Sequence, residues 1–232
     1  MASGHTATRE QRTREVPVWD LPTRLFHWSL AVLVAIAVLS AKMDVLWVHM
    51  LAGEAILSLV LFRLVWGVVG SQTARFADFV KGPRAILAYL GRKGTGGAAA
   101  EGATLGHNPL GALMVVALLL ALGIQAVSGL FTSDDVLIDG PLVPLASSAV
   151  VGALGTLHRL LSDGILILTG LHVLAVFAYL LVRKDNLIRP MVTGRKTVAT
   201  PVPAPRRASP ALALAILAAS AGLVAFVVRA AA

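Results

Sequence analysis

Two histidines fourteen residues apart on one apolar stretch, His158 and His172 in LHRLLSDGILILTGLHVLAVFAYLLV, mark the chemistry open to this chain. Fourteen residues is almost four turns at 3.6 residues per turn, so both imidazoles leave one helix face with about 21 Å of rise between them. That rise suits two sites stacked across a bilayer whose hydrocarbon core is about 30 Å thick. His27 and His49 open two earlier apolar stretches, and a histidine inside a membrane is costly enough to be read as functional. Four such ligands suit two haems.

The elements that must position them are membrane helices. The chain is 57% hydrophobic and 14% charged, with a mean hydropathy of +0.81, well outside the range of soluble domains. Five apolar runs are long enough to span: Arg24 to Ala41, Trp47 to Val69, Pro109 to Phe131, His158 to Val182 and Ala211 to Val228. The start, MASGHTATREQRTREVPVWD, lacks the apolar core of a cleaved signal peptide, so the first span is expected to direct insertion. There is no cysteine, which excludes disulfides, iron–sulfur clusters and the covalent attachment of c-type haem. Haem here is noncovalent.

Sixteen of the twenty lysines and arginines fall in the N-terminal tail, in the segment after the second span and in the segment after the fourth. The positive-inside bias puts the N-terminus in the cytoplasm and the chain in a bacterial inner membrane. The formal charge of +8 is then topology plus attraction to membrane lipid, with no nucleic acid required. The chain divides into a cytoplasmic tail (1–18), a four-helix core (19–197), a proline-rich linker (198–210) and an additional transmembrane helix (211–232). Thr200 to Pro210 reads as a spacer that separates the fifth helix from the other four, and Gly91 to Gly106 as a loop rich in glycine and alanine. In the fifth helix Ala215, Ala218, Ala219 and Gly222 suit close helix contact, although an anchor or an alanine-rich tail fits equally. The segment Pro144 to Leu154 is expected to lie on or dip into the membrane surface.

Depth turns the histidines into pairs. His27 starts an outward-running helix and His172 ends an inward-running one, so both lie near the cytoplasmic face. His49 and His158 lie near the outer face. Each pair comes from two helices at one depth, as a haem clamped between two histidines requires. A dinuclear metal site would want carboxylates on the ligand face, whereas Glu54 and Asp163 each follow a histidine by five residues, about 140° round the helix. They read as proton-handling groups or as hydrated structural positions.

Arg63 follows His49 by fourteen residues, on the ligand face but at the depth of the cytoplasmic pair. A buried guanidinium there suits a haem propionate. Arg24, three residues before His27, can serve the same haem, and Arg159 the outer one. Gly53, one turn after His49, leaves room for a flat macrocycle. Asn108 and Pro109 cap and open the third span, so His107 reads either as an interfacial residue or as the lining of a quinone pocket. Trp28, Trp47 and Trp66 read as an aromatic belt. His5 lies in the tail and carries no role.

WDLPTRLFHW (19–28), HMLAGEAILSLVLFRLVWGVVG (49–70), RFADFVKGP (75–83), GHNPLGALMVVALLL (106–120), QAVSGLF (125–131) and DNLIRPMVTGRK (185–196) together resemble the prokaryotic cytochrome b561 family, which includes the cytochrome b subunits of nickel–iron hydrogenases. The resemblance covers Val16 to Lys196. It implies an all-α integral membrane protein: a four-helix transmembrane bundle holding two b haems, with His27, His49, His158 and His172 at the ligand positions. It further implies electron transfer between the quinone pool and a periplasmic or membrane-bound redox partner, such as a cytochrome c or a hydrogenase-type subunit. The fifth helix departs from that pattern; a partner or a second copy of the chain, giving a homodimer, is what it could contact. Two other functions are open: a superoxide:quinone oxidoreductase working at the outer haem, which would make the chain an enzyme proper, and a non-redox membrane anchor.

Overall fold

A computed structural model describes residues 14–91, 106–133, 138–198 and 203–231. His5, Arg9, Arg12, the interior of the glycine- and alanine-rich loop (92–105), Asp134, Asp135 and the start of the proline-rich spacer lie outside the described residues. In chain order the elements are β1 (Arg14–Pro17), α1 (Leu21–Lys42), α2 (Leu46–Val69), α3 (Phe76–Phe79), α4 (Pro83–Gly91), α5 (Pro109–Gly129), α6 (Ser148–Leu181), α7 (Ile188–Thr193), β2 (Arg195–Val198) and α8 (Pro210–Ala231). The protein is an all-α integral membrane protein in which α1, α2, α5, α6 and α8 are long and apolar enough to cross a bilayer.

Local chemistry sets the helix starts. Asp20 caps α1 by accepting from the Thr23 amide at 2.8 Å, and Asn108 caps α5 by accepting from the Gly111 amide at 2.7 Å, each with a proline in the first turn. Asp44 takes a left-handed φ of 55° in the tight turn that reverses α1 into α2. The β1–β2 ribbon, antiparallel with Arg14 opposite Val198, and α7 close one end of the bundle, the tail end. The α1–α2 turn and the loop between α5 and α6 form the other, the loop end. Glu15 bridges the ribbon to Arg189 at 3.0 Å; this pair is exposed and holds register more than it adds stability.

Three expectations are corrected here. α6 begins at Ser148, ten residues before the expected start of the fourth span, and its 34 residues measure about 51 Å. Of the segment expected on the membrane surface, only Val143–Leu145 is a separate 3₁₀ turn; from Ser148 the chain is already α6. Gly152 and Gly155 make this stretch a weak helix former in isolation, but extending an established helix needs no new nucleus. Ser147 caps it by accepting from the Val150 amide at 3.4 Å.

The second correction is Trp66. Trp28 and Trp47 are exposed, but Trp66 is fully buried, its indole N–H donating to Asp20 Oδ2 at 3.2 Å. It belongs to a cluster with Phe26, Phe62, Leu119 and Ala213. A second cluster, Ile56, Val60, Ala121, Leu122 and Ile165, fills the middle of the bundle.

The third concerns α8. Its spacer is docked rather than loose: the Gln72 amide donates to the Arg206 carbonyl at 2.9 Å, the Arg206 amide to Gln72 Oε1 at 3.1 Å, and the Ala208 amide to Ser71 Oγ at 3.0 Å. The buried stripe of α8 is Ala213, Ser220 and Val224, packed along α2, whereas Ala215, Ala218, Ala219 and Gly222 are exposed on another face. The contact does use small residues, Ala213 and Ser220 at a spacing of seven with Val224 four further on, but not the four expected.

Candidate functional site

At the loop end, His49 in the first turn of α2 faces His158 of α6. Their ring centres are 6.0 Å apart and their planes are inclined at 85°. A metal–imidazole bond of about 2 Å on each side, plus about 1.2 Å from ring nitrogen to ring centre, puts the two rings of a bis-histidine site about 6.3 Å apart. The spacing therefore fits one iron between them.

The far nitrogens define which atom is left to bind. His49 Nδ1 lies 2.8 Å from the Ala37 carbonyl of α1, and His158 Nδ1 lies 3.0 Å from the Gln125 carbonyl of α5. A carbonyl only accepts, so both Nδ1 atoms carry the proton and both Nε2 atoms are bare. This is how metal-binding histidines are held. Ser128, buried beside Gln125, brings its hydroxyl to 3.3 Å from His158 Nδ1. A Cβ on Gly129 would stand 2.9 Å from His158 Cε1, so the ring occupies space that only glycine leaves. A Cβ on Gly53 would meet nothing within 4 Å, which suits a flat group lying against α2.

At the tail end, His27 of α1 faces His172 of α6 with ring centres 6.3 Å apart and planes at 56°. The same spacing argument holds, but the support differs. His27 Nδ1 is buried with no hydrogen-bond partner among the described residues. Its ring meets Trp28 edge-on at 5.0 Å, and Trp28 in turn donates to the Met191 carbonyl at 3.2 Å. Arg24 donates to the Val192 carbonyl, so part of its guanidinium serves the α7 cap rather than a free anion.

Arg63 is 2% exposed. Its guanidinium carbon sits 4.9 Å from the centre of the Phe76 ring and 5.9 Å from that of Phe79, while Nη1 is buried without a partner among the described residues. A buried guanidinium with an unpaired donor suits an anionic group. His107 packs between Trp19 at 4.7 Å and Phe79 at 4.6 Å, its Nδ1 also unpartnered. Burial, reinforced by the charges of Arg63, His172 and His27, pushes its pKa down to about 3. His107 is neutral at physiological pH and belongs to the tail-end cluster rather than to an open interface. Between α2, α3 and α5 runs an apolar groove of about 520 Å³ lined by Leu64, Phe76, Val80, Leu119 and Leu120. Phe76 separates this groove from Arg63.

The remaining candidates sit apart. Arg159 is exposed, donates to Thr156 Oγ1 at 3.3 Å, and borders a polar cleft of about 420 Å³ with Ser133 and Asp139. Glu54 is partly buried and Asp163 exposed. Among the described residues no three metal-binding side chains gather, so the histidines come as pairs only. Sequence reasoning missed the carbonyls of Ala37 and Gln125, the Ser128–Gly129 step, Asp20, and the Trp19 and Phe79 walls of His107. Only Ser128–Gly129 left a signal, two small residues in α5 at the depth of His158.

A family model described as prokaryotic cytochrome b561 matches residues 18–194, which includes all four paired histidines, Arg63 and His107 and excludes α8. No curated protein and no solved structure matches the chain.

Proposed function

The chain belongs to the prokaryotic cytochrome b561 family, and from that premise we propose that it carries electrons between a quinone and a redox partner through two b haems, held by His49/His158 and His27/His172. Its general activity is transmembrane electron transfer by b-type haem in a multi-pass membrane protein. When bound, such a haem supplies a one-electron change at iron; the chain's task is to hold, orient and insulate it. The observation that carries the two-haem reading is the pair of ring separations, 6.0 and 6.3 Å, at two points fourteen residues apart on α6. With no cysteine in the chain, attachment rests on these ligands alone.

Arg63 and Arg24 each keep a buried donor without a partner among the described residues; Arg63 is the better candidate for a propionate at the tail end because it is the more deeply buried and Arg24 already serves the Val192 carbonyl. Arg159 can meet an anionic group only at the exposed rim of the loop end. The concentration of basic residues orients the tail end to the cytoplasm, which leaves the loop-end pair facing a periplasmic cytochrome c or hydrogenase-type partner. The quinone is placed at the tail end, its ring near neutral His107 and its isoprenoid chain in the apolar groove between α2, α3 and α5.

Acid–acetone should extract all the pigment from the purified protein, and pyridine haemochrome should report two b haems per chain. One haem, or none, overturns the four-ligand reading. Reduction of added quinone on supplying superoxide alone, with no partner protein, would make the chain a superoxide:quinone oxidoreductase instead.

A further inference from the structure

The two histidine pairs differ in what holds the far nitrogen of each ring. At the loop end both Nδ1–H groups donate to backbone carbonyls of neighbouring helices, at 2.8 Å to Ala37 and 3.0 Å to Gln125. The Gln125 carbonyl also receives a hydroxyl, from buried Ser128 three residues further along its own helix, at 3.0 Å. Ser40 Oγ gives its one proton to the Ile36 carbonyl at 2.6 Å rather than to that of Ala37 at 3.1 Å. At the tail end neither ring has such a bond among the described residues: His27 Nδ1 is buried and unpartnered, and His172 makes none. Fixed positive charge is arranged the other way. Arg63 is buried near the tail-end pair, its charge offset in part by buried Asp20, whereas the loop end has only the exposed Lys42 and Arg159.

An imidazole that gives its Nδ1 proton to a carbonyl is richer in electrons at Nε2 and a stronger donor to iron, which favours the oxidised state. A buried cation favours the state with the extra electron, and does so strongly where water does not screen it. Both effects act in the same direction. We propose that the carbonyls of Ala37 and Gln125 hold the loop-end haem at the lower potential of the two, with Ser128 moderating the pull of the Gln125 carbonyl, and that Arg63 holds the tail-end haem at the higher.

Ser128 is a positioning residue in this scheme. Its hydroxyl occupies part of the Gln125 carbonyl's accepting capacity and so limits how fully that carbonyl draws on His158. The inference rests on the four-ligand reading, and haem is therefore counted first: fewer than two b haems per chain defeats that reading, while two haems leave this inference to be decided by potentials. Potentiometric titration of the holoprotein, followed by visible absorbance, should resolve two one-electron components. Arg63→Gln should move only the higher one, downward, and narrow the gap. Ser128→Ala frees the Gln125 carbonyl for His158 and should move only the lower one, downward, and widen the gap. Ser128→Ala is conservative and decides the matter alone if Arg63→Gln does not accumulate. A single unsplit potential in the parent protein, a shift of the higher component by Ser128→Ala, or no shift at all from it, overturns the proposal.

Discussion

The loop-end and tail-end histidine pairs have nearly the same ring spacing, 6.0 and 6.3 Å, on different scaffolding. At the loop end the histidines are held by backbone: two helix carbonyls take their Nδ1 protons, and Gly129 clears space for His158. At the tail end the surroundings are side chains, Trp28 against His27 and then Arg63, His107, Trp19 and Asp20, under the cover of β1, β2 and α7. Backbone support survives most substitutions because every residue supplies a carbonyl. Side-chain support can be altered one residue at a time. The loop-end site is thus the fixed one and the tail-end site the adjustable one, with the second carrying the charged and polar groups that distinguish one electron carrier from another.

The largest effect that could break this comparison is loss of a whole cofactor. His49→Ala with His158→Ala should leave one b haem per chain, and so should His27→Ala with His172→Ala. Crossing the pairs, His27→Ala with His158→Ala, should leave none, because each site then keeps a single axial ligand. Haem counts on the three double variants check this directly. A crossed variant that retains a full haem while a paired one loses both would mean that the depth pairing is wrong.

A smaller effect separates the two ends without touching a ligand. In Gly129→Ala the new Cβ would lie 2.9 Å from His158 Cε1, and that ring is already held by the Gln125 carbonyl and its place opposite His49. Overpacking of this kind costs about 1–3 kcal/mol. The variant should release its loop-end haem more readily on heating, with the tail-end absorbance unchanged. Equal loss from both ends would show that the sites are not independently supported.

The approach of the four histidines in two pairs was legible because a fourteen-residue interval on one helix and the alternating direction of successive spans are sequence properties. The five spans were legible for the same reason. Their supports were not. That Ala37 and Gln125 would donate carbonyls to rings on other helices depends on rotation and depth of packing, which side-chain type does not encode. Trp66 was misjudged because a tryptophan near a helix end is ambiguous until its neighbours are known; Asp20, forty-six residues earlier, supplies its hydrogen-bond acceptor. In α8 small residues do make the contact, but Ala213 and Ser220 rather than the four expected, because several small-residue stripes run along the helix and its rotation selects one; the spacer was read as decoupling although Gln72 and Ser71 pin it. Proline content describes stiffness, not whether a segment has a surface to bind.

The smallest effect concerns the response of the tail end to acid. His107 has a folded-state pKa of about 3 because it is buried between Trp19 and Phe79 and faces the positive charge of Arg63; in the unfolded chain the value is about 6.5. Between those values the unfolded chain binds a proton that the folded one does not, so stability is fully present above about pH 6.5 and falls as pH drops toward 3. His107→Phe keeps an aromatic ring between Trp19 and Phe79 but cannot take up that proton. Thermal melting of parent and variant, compared at about pH 7 and about pH 4.5 within this window, should show a smaller acid loss in His107→Phe. In the parent, the absorbance of the tail-end haem should change before that of the loop-end haem, because the acid-sensitive ring packs at that end alone. Identical acid losses in the two proteins would remove His107 from the account, and the tail end would then owe its adjustability to Arg63 rather than to the neutral histidine beside it.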